Sequence, residues 1–429
     1  MPELTPDAPA GERAADLITK AGELRKQAEA LEKQARDLLA PSEARAAAQR
    51  IVAGKERVAV FLGAGASFTF GFPLTKELLP IIIRRLIAEP SLLFEDRRAN
   101  KEADNKEDRE LLKKALRALC PGMQFTGDFV EKNKSRLPLV TSLLSMLDYS
   151  LSAGQALVAR LTPEEITKAR TLLERAIYEA IEFGDSPIGQ FSRSPKPTTL
   201  ALTRWVDGLR ALGDVCVITS NYDTAVEKAW GFEDDDQFVI ERLAPDFGFD
   251  WLWPTNSYEE QVMRRPAQPL HRLYKLHGST NWLRCGLCDR IYINPLVDIA
   301  IYAYERRQTL NNQCHCGHGK LEVEIVSPSF VREMRAPNLI SIWQQALSWL
   351  RTAEDWIVVG YSFPDEDLNI RSLFTRALAS RREGPPNVTA IQFGGDEQTR
   401  MRYEAFFPNG KLTFLTGGLD AFLQSVAAG

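Results

Sequence analysis

Arg57-Val-Ala-Val-Phe-Leu-Gly63-Ala64-Gly65-Ala66-Ser67 is the stretch on which the fold turns. After Arg57, its next five residues run apolar without polar alternation, the pattern of a strand buried on both faces. The run breaks into a glycine-rich turn. A Gly71-Phe72-Pro73 turn and a helical pattern over Thr75–Ala88 follow. Strand, glycine turn and helix in that order open a doubly wound α/β sheet, and glycines at such a turn let backbone N–H groups approach a pyrophosphate. A tight structural turn is the competing reading. Phe68 stands where a third glycine of a dinucleotide fingerprint would fall, and no second strand ending in an acid follows about 20 residues later.

Working outward, five more strand candidates appear at Asp214–Ser220, His271–His277, Trp356–Ser362, Asn387–Phe393 and Lys411–Leu415. Helical patterns occupy Asp223–Trp230, Leu339–Ala353, Asp365–Arg382, Glu397–Phe406 and Leu419–Ala427. Alternation of this kind predicts an α/β fold, a doubly wound, mainly parallel, Rossmann-like sheet covered on both faces. Residues 91–212 carry no convincing strand. Glu107–Leu119, Thr162–Phe183 and Thr198–Leu212 read as helices, so a helical insertion of about 91–212 is expected inside a domain spanning 50–429. Ahead of it, residues 1–12 read as a disordered terminus. Over 13–45, Leu17, Ala21, Leu24, Ala28, Leu31, Ala35 and Leu38 alternate at spacings of four and three until Pro41. That is an amphipathic, coiled-coil-like helix, lying on its own domain or pairing with a second copy or partner.

The chain has 429 residues, 44% of them apolar, and roughly 150 residues per domain gives two or three domains. With 53 basic and 57 acidic side chains the net charge is −4, which argues against a broad polybasic surface for nucleic acid or anionic membrane. No apolar run reaches the roughly 18 residues of a membrane span, and no signal-peptide core opens the chain. A soluble, cytoplasmic protein is expected. Six cysteines are too few for a disulfide scaffold at this length. Four of them form the pairs Cys285-x-x-Cys288 and Cys314-x-Cys316, which fit one tetrahedral structural zinc site in an insertion of about 284–326. The second pair is one residue short of the usual knuckle, so His318 is an alternative ligand.

Three further motifs sit at strand ends, where parallel sheets place their ligands. Thr219-Ser220-Asn221-Tyr222-Asp223 follows the second strand, with helix capping as its plainer reading. Lys275-Leu276-His277-Gly278-Ser279 holds one of only four histidines, a candidate acid or base, although a strand-end His is often structural. Gly360-Tyr361-Ser362 and the following Phe-Pro-Asp are suited to phosphate or ribose contact, or to ordinary turn chemistry.

Taken in order, these motifs resemble the sirtuin family over about Arg57–Ala427. The resemblance implies a doubly wound sheet binding NAD, with a small zinc ribbon and a helical module inserted. It implies Asn221 and His277 as catalytic residues. It implies cofactor contacts at Gly63, Ala64, Gly65, Ala66, Ser67, Gly71, Phe72, Pro73, Thr219, Asp223, Gly360, Tyr361 and Ser362, with Asp223 on the nicotinamide side. One departure matters: family deacylases continue Gly-x-Pro with Asp-Phe-Arg, whereas Leu74-Thr75-Lys76 follows here. With Gly360–Leu368 and the long helical interval, this looks like the sirtuin-like NADases of bacterial anti-phage defence.

The expected activity is therefore hydrolysis of NAD to nicotinamide and ADP-ribose. Such an enzyme would be gated by homo-oligomer assembly or by a partner, such as a sensor or ATPase protein of a defence operon. The alternatives are an NAD-dependent protein deacylase and a non-catalytic module binding NAD or ADP-ribose. No membrane association and no direct nucleic-acid binding are expected.

Overall fold

The computed structural model describes residues 57–88, 93, 102–154, 161–184, 195–231, 245–253, 261–265, 267, 271–294, 314–317, 321–325, 336–365, 367–394, 397–407 and 411–427, with scattered positions between 19 and 49. Those scattered positions are helical, and Leu24 among them is exposed. The remaining seam residues of the N-terminal heptad pattern lie outside the described residues.

Twelve strands are present among the described residues: β1 (Arg57–Leu62), β2 (Asp214–Thr219), β3 (Pro245–Asp246), β4 (Trp251–Trp253), β5 (Gln261–Met263), β6 (His271–Lys275), β7 (Gly278–Cys285), β8 (Ile291–Ile293), β9 (Leu321–Ile325), β10 (Asp355–Val359), β11 (Asn387–Ile391) and β12 (Leu412–Leu415). The helices are α1 (Ala64–Thr69), α2 (Thr75–Ile87), α3 (Glu102–Leu119), α4 (Gly127–Asn133), α5 (Val140–Ala153), α6 (Pro163–Phe183), α7 (Pro197–Arg210), α8 (Ala225–Gly231), α9 (Pro337–Thr352), α10 (Leu368–Ala379), α11 (Glu397–Phe406) and α12 (Gly418–Ala427).

Seven strands form one parallel sheet in the order β12-β11-β10-β1-β2-β6-β3. This is the mainly parallel, Rossmann-like sheet expected from the alternation of elements. Val58–Leu62 are all buried, as a strand with both faces covered requires. Helices α9 and α10 pack together, with α9 against β6 and β1. Helices α7 and α12 pack together against β2 and β11 respectively. The order reverses at β1, because the chain proceeds outward through β2 on one side and returns at β10 on the other. The crevice between the carboxyl ends of β1 and β10 is therefore a topological switch point, where sheets of this kind bind ligands.

Between residues 102 and 183 the described residues form four helices, which pack with one another and with α2. Helix α6 starts on a capping box. Thr162 Oγ1 accepts from the Glu165 N–H at 3.2 Å, while Glu165 Oε2 accepts from the Thr162 N–H at 2.9 Å. Helix α2 begins at Thr75, with Leu74 between it and Phe72-Pro73, so the glycine turn is tied to this helical module through one short connection.

A second sheet, β5-β4-β8-β7-β9, was not anticipated in full. The expected strand at His271–His277 ends at Lys275. The chain turns at Leu276–His277 and continues as β7, antiparallel to β8 and β9. β7 ends on Cys285. The cysteine segment is thereby built onto a sheet that also recruits β4 and β5 from earlier in the chain.

Candidate functional site

Register sets the site. Leu415, Ile391, Val359, Leu62, Thr219 and Lys275 lie side by side in one row across the parallel sheet. The next residue on each central strand leaves the sheet at the same level: Gly63, Ser220, Leu276 and Gly360. The four strand-end motifs read from the sequence therefore emerge along one edge.

The two glycine turns pack directly on each other. Gly63 N donates to Val359 O at 2.9 Å, and Gly65 N donates to Gly360 O at 2.8 Å. A Cβ on Gly65 would lie 2.8 Å from Gly360 Cα. A Cβ on Gly360, which has φ +61°, would lie 2.3 Å from Ala66 N. Both glycines are thus required by loop-on-loop contact, whatever else binds there, and their N–H groups already have protein acceptors. Ala64 is exposed on this turn, and Ala66 and Ser67 are buried.

The turn after β2 closes on the same place. Thr219 Oγ1 donates to Leu62 O at 3.1 Å and accepts from Asn221 N at 3.0 Å. Asn221 Nδ2 then donates to Gly63 O at 2.8 Å. A carbonyl can only accept, so the amide orientation is settled and Oδ1 is left as the acceptor end. Asp223 serves two neighbours. Its Oδ1 accepts from Ala225 N at 3.0 Å at the start of α8, and its Oδ2 accepts from the Ser67 hydroxyl. The capping role and the cross-loop role coexist in one carboxylate.

His277 sits at the β6–β7 corner, buried, with its ring 6.0 Å from that of Tyr222 and 6.1 Å from that of Trp343. Its Nδ1 lies 3.0 Å from Ser220 O. The carbonyl has no proton to give, so Nδ1 carries the hydrogen and the neutral ring presents Nε2 as its basic nitrogen. Ser220 adjoins Asn221, so the imidazole binds the turn one residue away from the residue that carries the amide.

Among the other predicted residues, Tyr361 places its ring against Phe61 and Phe363 and its hydroxyl on Asp367 at 3.1 Å. Ser362 is exposed. Phe72 is buried, its N–H donating to Ser67 O at 2.9 Å; Pro73 is half-buried and Gly71 is exposed. Phe363, with φ +50°, is wholly buried among Phe374, Tyr403 and Phe406. That packing holds a bulky residue in a conformation it rarely adopts, and so fixes the loop after β10.

Sequence reasoning missed the charge beneath the site. Lys275 is fully buried and pairs with Glu227 of α8 at 2.8 Å, and its ammonium also donates to Asp223 O. Burial raises the Glu227 carboxyl above its ordinary range despite the neighbouring ammonium. A strand otherwise apolar at its carboxyl end but closing on Lys, two residues before a His, was the available signal.

The four cysteine sulfurs lie within 4.8 Å of one another, with Cys285 and Cys316 3.8 Å apart and Cys288 and Cys314 3.4 Å apart. Four thiolates about 2.3 Å from one tetrahedral ion sit about 3.8 Å apart, so the set is compatible with zinc. Leu287 N approaches Cys285 Sγ at 3.4 Å, and the Tyr292 hydroxyl lies 3.3 Å from Cys314 Sγ. Burial pushes the Cys288 thiol up to about 12, a balance that a bound cation reverses. His318 lies outside the described residues.

Residues 215–407 match the model of a family described as SIR2-like domain. That span takes in Asn221, His277, the four cysteines and Gly360–Ser362, and begins after the glycine turn of β1. Similar solved structures include one described as "Structural Basis for the Mechanism and Regulation of Sir2 Enzymes", at 15% identity and TM-score 0.37, covering 90% of this chain and 98% of that chain. Another, "The Structural basis for Sirtuin Substrate affinity", is 12% identical at TM-score 0.40, covering 89% and 95%. No curated protein matches. No helix among the described residues is long and apolar enough to cross a membrane.

Proposed function

We propose that the chain is an NAD glycohydrolase, cleaving the bond between nicotinamide and ribose. The observation that carries this reading is the junction at Ser220–Asn221. Ser220 O fixes the His277 tautomer, and Asn221 bridges to the glycine turn at the switch point. A module that only binds a dinucleotide needs neither an oriented imidazole nor an amide pinned beside it.

In this reading the dinucleotide lies over Gly63–Ser67 and Gly360–Ser362, with Ala64 and Ser362 presented to it and the nicotinamide end toward Asn221 and Asp223. The C1′–N bond breaks with its electron pair leaving on nicotinamide, which neutralises the pyridinium. Asn221 Oδ1 holds a ribose hydroxyl or the attacking water. His277 Nε2 takes the proton released as that water bonds to C1′, giving ADP-ribose and nicotinamide. Holding reactants in one pose and supplying a base are each worth orders of magnitude in rate.

Zinc at Cys285, Cys288, Cys314 and Cys316 would be structural. It would brace the β7–β9 sheet whose other end is the His277 corner. The finer reading is an NAD-depleting effector of anti-phage defence, cytoplasmic and gated by self-assembly or a partner. It rests on the resemblance carried by Leu74-Thr75-Lys76 and Gly360–Leu368, and on the cost to a cell of ungated NAD loss.

The test is purified protein with NAD, products read by mass, with and without an acyl-lysine peptide. Nicotinamide and ADP-ribose without peptide support the proposal. Release that depends on the peptide makes the chain a deacylase, and binding without release makes it a module.

A further inference from the structure

The side chains of the turn that carries Asn221 reach the β1 loop, whereas its backbone carbonyls are held by the corner between β6 and β7. Thr219 O accepts from Leu276 N at 2.9 Å. Ser220 O accepts from His277 Nδ1 at 3.0 Å. Tyr222 O accepts from Ser279 Oγ at 3.1 Å, Thr280 N at 3.0 Å and Thr280 Oγ1 at 3.2 Å. Asp223 O accepts from Lys275 Nζ. The donors fall within six residues of the corner between β6 and β7, Gly278 alone giving none, and the acceptors fall within five residues of the turn after β2.

We infer that the corner Lys275–Thr280 is a template that sets the position of Asn221 and Asp223, with Lys275, Ser279 and Thr280 as positioning residues for bond cleavage. The inference rests on the hydrolase reading above and assigns it three further residues. Each link has a physical reason. Backbone carbonyls in an irregular turn carry no ladder of their own, so buried ones need donors, and here the β6–β7 corner supplies them. Lys275 is the strongest, because a buried ammonium gives charge-assisted bonds. Glu227 accepts from that ammonium at 2.8 Å and so aims it, since an unpaired charge at this depth would be costly. His277 belongs to the same corner, so the template also fixes the separation of amide and imidazole. One rigid piece thereby positions both groups that must meet at C1′.

The test uses the full chain. Lys275→Met alone strands Glu227, so the informative variant is Lys275→Met with Glu227→Leu, which replaces the ion pair with apolar groups of similar volume. Thr280→Val is a second, milder variant that removes one donor to Tyr222 O and keeps the backbone one. Two readouts are taken: hydrogen exchange over 219–225, and kcat separately from KM for NAD.

With the fold intact, exchange over 219–225 should quicken about tenfold in the double variant while β1 and β2 stay protected. Its kcat should fall about 100-fold with KM changed less than about threefold, the signature of misplaced catalytic groups. Thr280→Val should move both readouts the same way by a smaller factor. It decides the matter if the double variant fails to fold. Unchanged exchange over 219–225, or kcat falling only in step with global stability, overturns the inference. A wild-type protein that releases no nicotinamide sinks the hydrolase reading instead, and the exchange data still judge the template.

Discussion

Asn221 donates through Nδ2 to the carbonyl of Gly63 at 2.8 Å, joining the turn after β2 to the glycine turn after β1. The bond spans the neighbouring strands β1 and β2 beside the switch point, and it fixes which end of the amide is left to accept. Asn221→Ala should lower NAD turnover by about 10²–10³-fold, in the range seen when one positioned polar group is lost. Its unfolding midpoint should shift only slightly. Initial rates and thermal unfolding measured side by side check this. Near-full turnover would remove Asn221 from the chemistry.

His277→Ala should cost about 10²–10⁴-fold in kcat, the usual worth of a general base. Because Nδ1 is held by Ser220 O, His277→Gln should not restore activity even if it keeps a donor there, since no basic nitrogen remains. A pH–rate profile adds a sharper check. The wild-type rate should rise as an imidazole deprotonates, and the residual rate of His277→Ala should lack that limb.

Three glycine substitutions should rank in a fixed order. Gly208 lies inside α7 with open space around its missing Cβ, so Gly208→Ala should stabilise by about 0.5–1 kcal/mol. Gly65→Ala forces a Cβ onto Gly360 and should destabilise by about 1–3 kcal/mol. Gly360→Ala adds a left-handed backbone to a closer clash, and should be the worst of the three. Denaturant midpoints at constant slope measure the series. Gly65→Ala as stable as wild type would deny the loop-on-loop contact.

Elemental analysis should find about one zinc per chain, and Cys288→Ser should lose it. Chelation should lower the thermal midpoint without abolishing NAD binding, because the sulfurs lie at the far end of β7 from His277. A metal-free protein with unaltered stability would make the four cysteines a packed knuckle.

Burial lifts the Glu227 carboxyl above its ordinary value of 4.5, with Lys275 opposing. The folded state therefore holds that proton more tightly than the unfolded chain, and the contribution of Glu227 to stability falls as pH rises from about 4.5 through the raised value. The stability of wild type relative to Glu227→Gln should drift against wild type over that interval. A difference that stays constant, or drifts the other way, contradicts the assignment.

Much of this architecture was legible because its signals are local. Residues 58–62 are apolar on both faces, which only a covered parallel strand tolerates, and the glycine turn marked the switch point without any knowledge of β10. Helices α4 and α5 went unread: Gly127–Asn133 is short and polar, and Val140–Ala153 mixes Ser145 and Ser150 into its buried face. β7 was hidden by its Gly-Ser-Thr-Asn opening, which reads as loop until β9 supplies a partner. The Lys275–Glu227 pair was beyond reach for a different reason. It joins residues far apart in the chain, and only the register of Thr219 with Lys275 brings them to one level.

The most direct test of the central claim is a crystal structure of His277→Ala with NAD bound and uncleaved. The dinucleotide should lie across Gly63–Ser67 and Gly360–Ser362, with C1′ of the nicotinamide ribose within about 4 Å of Asn221 Oδ1, near-attack distance. A dinucleotide seated elsewhere, or one whose nicotinamide end points away from Asn221 toward β12, would contradict it.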